Sequence, residues 1–345
     1  MEKYEVSYKA PSNIALVKYW GKKGLQKPIN PNLSFSLSVC HTVTRVVFRK
    51  GVGKTSCFVK GEKNDNFLPK INAFIDRISP EFNEINDYKI DIYTHNTFPH
   101  GSGIASSASG FAALALCIAD IYAQINNEPL DELFKQRAST WARLGSGSAA
   151  RSIYGGFVSW GSLKGTTSKE YTEDFATPIP NTNIHPTFHD LRDTILLVEN
   201  QEKAVSSSSG HALVENHFYK QGRLHQANNN YIECQERLMD GDKEGLKKII
   251  ESEALSLHAL MQSSIPYFVL MKPNTLNIIQ KLWAWREQNK LWAVFTLDAG
   301  ANVHLIHLNK DKDLVEKFVQ KELTTFCENG AYICDHIGEG PKKLN

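Results

Sequence analysis

The stretch NTFPHGSGIASSASGFAALAL, residues 96 to 116, joins a β-branched segment to an apolar helix through a loop of glycine and serine. Such a loop offers an anion free backbone N–H groups and the positive end of the helix dipole. Gly101 and Gly103 let the backbone approach phosphate oxygens with no Cβ in the way, and Ser106, Ser107 and Ser109 add hydroxyls. A dinucleotide fingerprint does not fit, because GSGIAS lacks the third glycine and no acidic residue stands at the expected interval on a second strand. Taken alone, the segment either cradles phosphate or merely caps its helix.

The flanks set the fold class. Upstream, VCHTVTRVVF at 39 to 48, TSCFVKG at 55 to 61 and YKIDIYT at 88 to 94 alternate as strands. Downstream, ASGFAALALCIADIYAQI has helical spacing and DELFKQRASTWARLGS starts a second helix behind Pro129. TILLVEN at 194 to 200 reads as a strand, 212 to 262 as long amphipathic helices, and AVFTLD and NVHLIHL as strands framing residue 300. The order is α+β with mixed sheets. The polar stretch TPIPNTNIHPTFHD places a boundary near residue 190, giving lobes of 1–190 and 191–345 around a shared cleft.

Composition narrows the partners. The chain has 345 residues, 39 Lys+Arg against 37 Asp+Glu and 41% hydrophobic residues, so disorder and coiled coil are poor readings. A net charge of +2 gives no global drive toward nucleic acid or an anionic membrane, and the expected partner is a small molecule. No uninterrupted apolar run approaches the roughly 18 to 20 residues of a membrane span, and the charged start MEKYE argues against a signal peptide. A cytoplasmic location is the expectation. The six cysteines include no CxxC pair and none at a metal-ligand interval from histidine, so zinc and disulfide frameworks are not expected.

Charge is distributed unevenly. Between Val6 and Gly61 there is no Asp or Glu, while Lys18, Lys22, Lys60, Arg45 and Arg49 are among the cations there. A second acid-free stretch, Leu133 to Lys169, carries Arg143 and Arg151 around LGSGSAAR, a string suited to phosphate or carboxylate, though a solvated surface has the same composition. Asp298, at the end of WAVFTLD, has no other acid between Glu287 and Asp311. It either caps the following turn or, if the cations converge on it, becomes a lone base in their field. GVGKT at 51 to 55 ends like a P-loop but has Phe48 where glycine is required, and reads as a hairpin turn. His304 and His307 fit a strand and its exit, and no GxSxG elbow anchors a hydrolase triad.

Five strings carry a family resemblance: APSNIALVKYWGK (10–22), NTFPHGSGIASSASGFAAL (96–114), LGSGSAARSIYGGFVSW (144–160), EKAVSSSSGH (202–211) and FTLDAGANVHL (295–305). Together and in this order they resemble the diphosphomevalonate decarboxylases, a branch of the superfamily of galactokinase, homoserine kinase, mevalonate kinase and phosphomevalonate kinase. The KYWGK and GSGSAAR strings separate this branch from the sugar and homoserine kinases. The resemblance implies the two-lobed fold of that superfamily, with mixed and antiparallel sheets and helices around a central cleft. It implies ATP-dependent decarboxylation of mevalonate 5-diphosphate in isoprenoid biosynthesis by a homodimer using ATP and Mg2+.

By the same resemblance Asp298 would orient or deprotonate the C3 hydroxyl, Lys18 would stabilise charge near it, and Arg151 would clamp the substrate carboxylate. Tyr19, Lys22, Ser146 and Ser148 would hold the substrate. Gly101, Gly103, Ser106 and Ser107 would cradle the nucleotide phosphates, with Asn96 on the approach to the base. Residues 92 to 119 offer no carboxylate, so magnesium would be held by phosphates, water and Ser107. The chain departs from the family pattern at His100-Gly101-Ser102, where Thr-Ala-Ala is common, and at Ala301, Ser208 and His211, where proline, arginine and methionine are frequent. A paralogue acting on phosphomevalonate, one that phosphorylates C3 of mevalonate and stops, and a non-catalytic anion-binding protein are the competing readings.

Overall fold

The computed structural model describes residues 2–51, 53–99, 103–163, 172–199 and 207–345, with backbone alone for 207–209. Two very long antiparallel strands, β1 (Lys3–Val17) and β4 (Asn32–Lys50), form its spine. A short hairpin of β2 (Lys22–Lys23) and β3 (Lys27–Pro28) lies between them. The sequence reading found only residues 39 to 48 of this pair. It missed β1 because Pro11, Ser12 and Asn13 interrupt the apolar alternation. Pro11 and Asn13 flank a register shift, where a bulge tolerates proline and re-aims side chains.

The irregularity divides the strand between two cores. Before it, Val6, Tyr8 and Ala10 face one apolar cluster; beyond it, Ile14 and Leu16 face another. Likewise Val46 and Phe48 of β4 join the first core, and Leu33, Phe35 and Leu37 the second.

The large sheet runs β14 (Lys342–Lys343), β1, β4, β7 (Tyr88–Asn96), β5 (Ser56–Val59), β6 (Glu62–Lys63), with β8 (Phe157–Trp160) and β9 (Thr177–Pro178) added beside the first part of β4. The segment at 51 to 55 is not a hairpin turn. Residues 42–50 of β4 have β1 on one edge and β7 on the other, so β5 lies beyond β7 and parallel to it. Val52 lies outside the described residues.

Against this sheet lie α1 (Leu68–Ile78), α2 (Ser106–Asn126) and α3 (Glu132–Gly145). Asp131 caps α3 by accepting the Leu133 and Phe134 N–H groups. By length and composition α2 could cross a membrane, which a search for unbroken apolar runs overlooked because serine, glycine and aspartate punctuate it. Its most apolar window is 72% buried inside the protein, the pattern of a core helix.

The second sheet runs β11 (Ala293–Thr296), β12 (Val303–Leu308), β10 (Leu191–Leu196), β13 (Tyr332–His336). Strand β10 starts three residues before the expected 194. Asp193 hid the alternation, and its burial is accommodated by the His304 imidazole 2.6 Å away across the sheet. One face, with Ile195, Val294 and Ile306, closes the second core together with α5 (Lys220–Asp240) and α6 (Lys243–Gln262). The other face packs against α7 (Pro273–Asn289) and α8 (Lys312–Phe318). The polar stretch 177–190 begins in β9 of the large sheet and ends where β10 starts the second, and the chain returns to the large sheet at its end. Ile337 bridges Leu37, and β14 pairs with β1.

Candidate active site

A cavity of about 900 Å3 opens where β1 and β4 become irregular, between the start of α2, the turn after β11 and α4 (Ser207–Leu213). Lys18, Tyr19, Lys22, Asn96, Gly103, Ser106, Ser107, Ser146, Ser148, Arg151 and Asp298, all named from sequence, line it. Gly101 and His100 lie outside the described residues, as does the side chain of Ser208.

Lys18 and Asp298 form the centre of one end. The Lys18 ammonium donates to the Ala15 carbonyl at 2.7 Å and to Asp298 Oδ1 at 3.1 Å. Their side chains are 2% and 23% exposed, so the lysine sits behind and the carboxylate faces the cavity. Burial pulls the Lys18 pKa below the ordinary lysine value, opposed chiefly by Asp298. The main chain around both residues is held as well. Glu253 accepts the Lys18 N–H at 2.8 Å, Asn30 donates to the Lys18 carbonyl at 3.0 Å, and His258 donates Nε2–H to the Asp298 carbonyl at 3.0 Å.

Arg151 rises from a 3-10 helix, Gly147–Ile153, and is 3% exposed. Its Nε and Nη2 donate to Asn13 Oδ1 at 3.2 and 3.0 Å, and Nη1 donates to Asn32 Oδ1. These partners are neutral amides, so among the described residues no ion pair neutralises this guanidinium by contact. Burial pushes its pKa down to about 10, with Asp298 acting the other way. A buried cation fixed by neutral oxygens stabilises an arriving carboxylate or phosphate without having to break a salt bridge first. Tyr19 lies over the same loop, donating its hydroxyl to Gln26 O at 3.1 Å. A Cβ at 147 would stand 2.4 Å from the Tyr19 hydroxyl oxygen, so a larger residue there would displace the end of the Tyr19 side chain.

The opposite end is built differently. Helix α2 begins after Ala105, which has a left-handed φ of 44°, and no side chain caps its first turn. Within the first turn the Ala108 N–H goes to the Ala105 carbonyl at 2.8 Å, so the N–H groups it can offer an anion are those of Ser106 and Ser107. Ser12 Oγ fixes the incoming chain by donating to Ile104 O at 2.5 Å, and Thr42 Oγ1 lies 2.6 Å from Ser109 Oγ. Ser107 is exposed, with its Oγ 3.2 Å from Ser146 Oγ. A Cβ added at Gly103 would lie 3.9 Å from Gly300 Cα, so the glycine and serine loop before α2 approaches the turn that follows Asp298. Beyond it, Cys57, Val59, Phe67, Ile71 and Ile92 form an apolar slot leading from Asn96, whose Oδ1 accepts from Thr42 Oγ1 at 2.8 Å.

The acid-free stretches sort themselves. Lys18, Lys22 and Lys60 face the cavity, whereas Arg45, Arg49, Lys23 and Lys27 pair with Glu5, Asp91, Glu173 and Asp174. Arg143 does not line the cavity; it donates to the Asp174 and Leu25 carbonyls. Of the departures, Ala301 is buried and accepts from Thr275 Oγ1 at 2.6 Å. His211 accepts the Gly21 N–H on Nδ1 at 2.9 Å, and its ring lies against Tyr19 and Trp20 with centroids at 4.5 and 4.6 Å.

Asn13, Asn32, Glu253 and His258 were not assigned roles from sequence. Asn13 sits inside the string APSNIALVKYWGK and was findable; Asn32, Glu253 and His258 carry no local pattern. No group of three or more His, Cys, Asp or Glu able to hold a metal exists among the described residues.

Comparison with known proteins gives one answer throughout. Residues 10–171 match the family model of the diphosphomevalonate decarboxylase-like N-terminal domain, and residues 194–342 that of the mevalonate 5-diphosphate decarboxylase C-terminal domain. Diphosphomevalonate decarboxylase of Gibberella zeae is 28% identical over 330 residues, covering 90% of this chain and 83% of its own length. The solved mevalonate diphosphate decarboxylase of Staphylococcus aureus superposes with a TM-score of 0.85 at 28% identity, over 100% of this chain and 99% of the other. MDDEF in complex with MVAPP, AMPPCP and magnesium gives 0.84 at 27% identity, over 100% of both chains.

Proposed function

The chain belongs to the diphosphomevalonate decarboxylase family, and from that premise we propose the work its site performs. It is an ATP-dependent decarboxylase converting mevalonate 5-diphosphate to isopentenyl diphosphate, ADP, phosphate and carbon dioxide. The observation that carries this reading is the Lys18–Asp298 pair beside a guanidinium that has no ion-pair contact among the described residues, across one cavity from a helix start with no side-chain cap.

A tertiary hydroxyl is a poor leaving group, so the C3 oxygen first attacks the γ-phosphorus of ATP and ADP departs. The C3–O bond then breaks with phosphate taking the electron pair, while the bond to the carboxylate supplies the electrons of the new C=C as carbon dioxide leaves. Asp298 faces the cavity and orients the C3 hydroxyl or takes its proton, and Lys18 holds that carboxylate and balances charge in the transfer. Arg151 clamps the substrate carboxylate with its planar fork. Tyr19, Lys22, Ser146 and Ser148 hold the diphosphate end.

Gly101, Gly103, Ser106 and Ser107 cradle the nucleotide phosphates, and the base enters the slot beside Asn96. Hydroxyls without a carboxylate cluster fit a magnesium ion carried mainly by phosphate oxygens, with Ser107 as the protein ligand, and the ion supplies neutralisation of phosphate charge. We also read the protein as cytoplasmic and homodimeric, with lobes meeting near residue 190.

The test is carbon dioxide release with ATP on a panel of mevalonate, its 5-phosphate and its 5-diphosphate. Turnover only with the diphosphate is expected. Preference for the monophosphate, or ADP formation from mevalonate without carbon dioxide, would reassign the substrate.

A further inference from the structure

Helix α6 carries three buried polar residues, and two of them, Glu253 and His258, each grip the main chain of one partner of the Lys18–Asp298 pair. Glu253 is fully buried and accepts the Lys18 N–H at 2.8 Å. It is itself clamped by Arg223 at 2.6 and 2.5 Å and by Asn230 at 2.7 Å, both from α5. His258, 1% exposed, lies five residues further along the same helix and donates to the Asp298 carbonyl at 3.0 Å. A carbonyl only accepts, so Nε2 must carry the proton.

The residues that follow the pair are anchored to the same helix. Trp20 and Ala299 share a small core with Leu257, Leu260 and Met261. The helix is itself well fixed, with Asp242 capping its start at Gly245 N–H and Leu246, Ile249 and Ile250 in the second core.

We propose that α6 is the spacer that sets the Lys18–Asp298 geometry, with Glu253 and His258 as its positioning residues. This rests on the decarboxylase reading, in which that pair acts on the C3 hydroxyl. Neither residue touches substrate; each acts through the backbone of a residue that does. Loss of a grip should therefore appear in kcat and leave both KM values nearly alone, because misplacement of a reacting group by about 1 Å costs on the order of a hundredfold in rate while binding contacts persist.

The experiment compares wild type, His258→Gln and His258→Met for carbon dioxide release, KM for both substrates and Tm. Glutamine and methionine are alike in length and volume, but only glutamine ends in an N–H donor. His258→Met should lose about tenfold or more in kcat with KM within about twofold, and His258→Gln should recover most of that loss. Equal kcat in the two variants, or a loss confined to KM, would overturn the proposal. Imidazole 15N shifts of the wild-type protein give a reading that needs no variant: a proton on Nε2 is expected, and an Nδ1–H tautomer would overturn it. Wild-type turnover in the same assay separates the outcomes, since absence of carbon dioxide there would sink the decarboxylase reading and not the role of α6.

Discussion

The two ends of the cavity solve the same electrostatic problem by opposite means. At the Lys18–Arg151 end, full charges are buried and held by fixed side-chain and main-chain partners. At the α2 end, the polar groups facing the cavity are backbone N–H groups and half-exposed or exposed hydroxyls. The difference follows from what each must do. A carboxylate about to be expelled and a hydroxyl about to be phosphorylated need charges in place before reaction, because reorganisation during the step would add to the barrier. Phosphates arrive carrying their own charge, and dipoles with hydroxyls suffice to orient them.

The largest test of this contrast is Asp298→Asn, which keeps shape but removes charge and basicity. Turnover should fall by roughly two orders of magnitude or more, with nucleotide affinity and folding retained. A folded, nucleotide-binding variant with normal carbon dioxide release would show that the charged end is not prebuilt for chemistry. Next comes Arg151→Lys. An ammonium cannot reach Asn13 and Asn32 while presenting a fork to a carboxylate, so about tenfold or greater loss in kcat/KM for the substrate is expected. Parental kinetics would make Arg151 a structural residue. Ser107→Ala probes the softer end. A loss of about tenfold in kcat/KM for ATP, with the substrate KM held, fits a single hydroxyl near transferring phosphate. Unchanged use of limiting ATP would remove Ser107 from the phosphate site.

The smallest expected effect concerns pH. Burial, helped by Lys22, lowers the His211 pKa from 6.5 to about 3, so the folded protein keeps this ring neutral while the unfolded chain protonates it. Between those values the unfolded state binds more protons, and stability is lost as pH falls from 6.5 toward 3. Tm measured across this range should decline with acid, and His211→Met should flatten that part of the decline. An identical slope in the variant would show that His211 is not the group responsible, leaving His307, lowered by burial to about 4, as the next candidate.

Charged residues were legible in the sequence and their supports were not. Asp298 stood out as a lone acid beside a glycine turn and Arg151 as a cation in an acid-free glycine and serine string, while Lys18 was one cation among many until the family resemblance singled it out. Asn13 and Asn32 act through neutral amides, which leave no trace in charge patterning. Arg223 and Glu253 meet across two helices, 30 positions apart in the chain. The fold shows the same division. Strand β7 and helix α3 were readable because each presents one periodic face to one core, and α2 because it is an apolar run of helical length buried on nearly all sides in that core. Strand β1 was missed because its bulge at Pro11 to Asn13 moves its buried face from one core to the other.

That shared spine bears on how such a gene can be cut and recombined. A fragment ending near residue 190 would keep Ile14, Leu16, Leu33 and Phe35 while losing Tyr231, Ile250, Val294 and Ile306, which cover them. It would expose an apolar face and would aggregate before it could bind anything. The two halves of the sequence are thus not interchangeable modules: a chimera joined at that point inherits one relative's spine and the other's covering, and it should fold only where the residues on both sides of the second core have changed together.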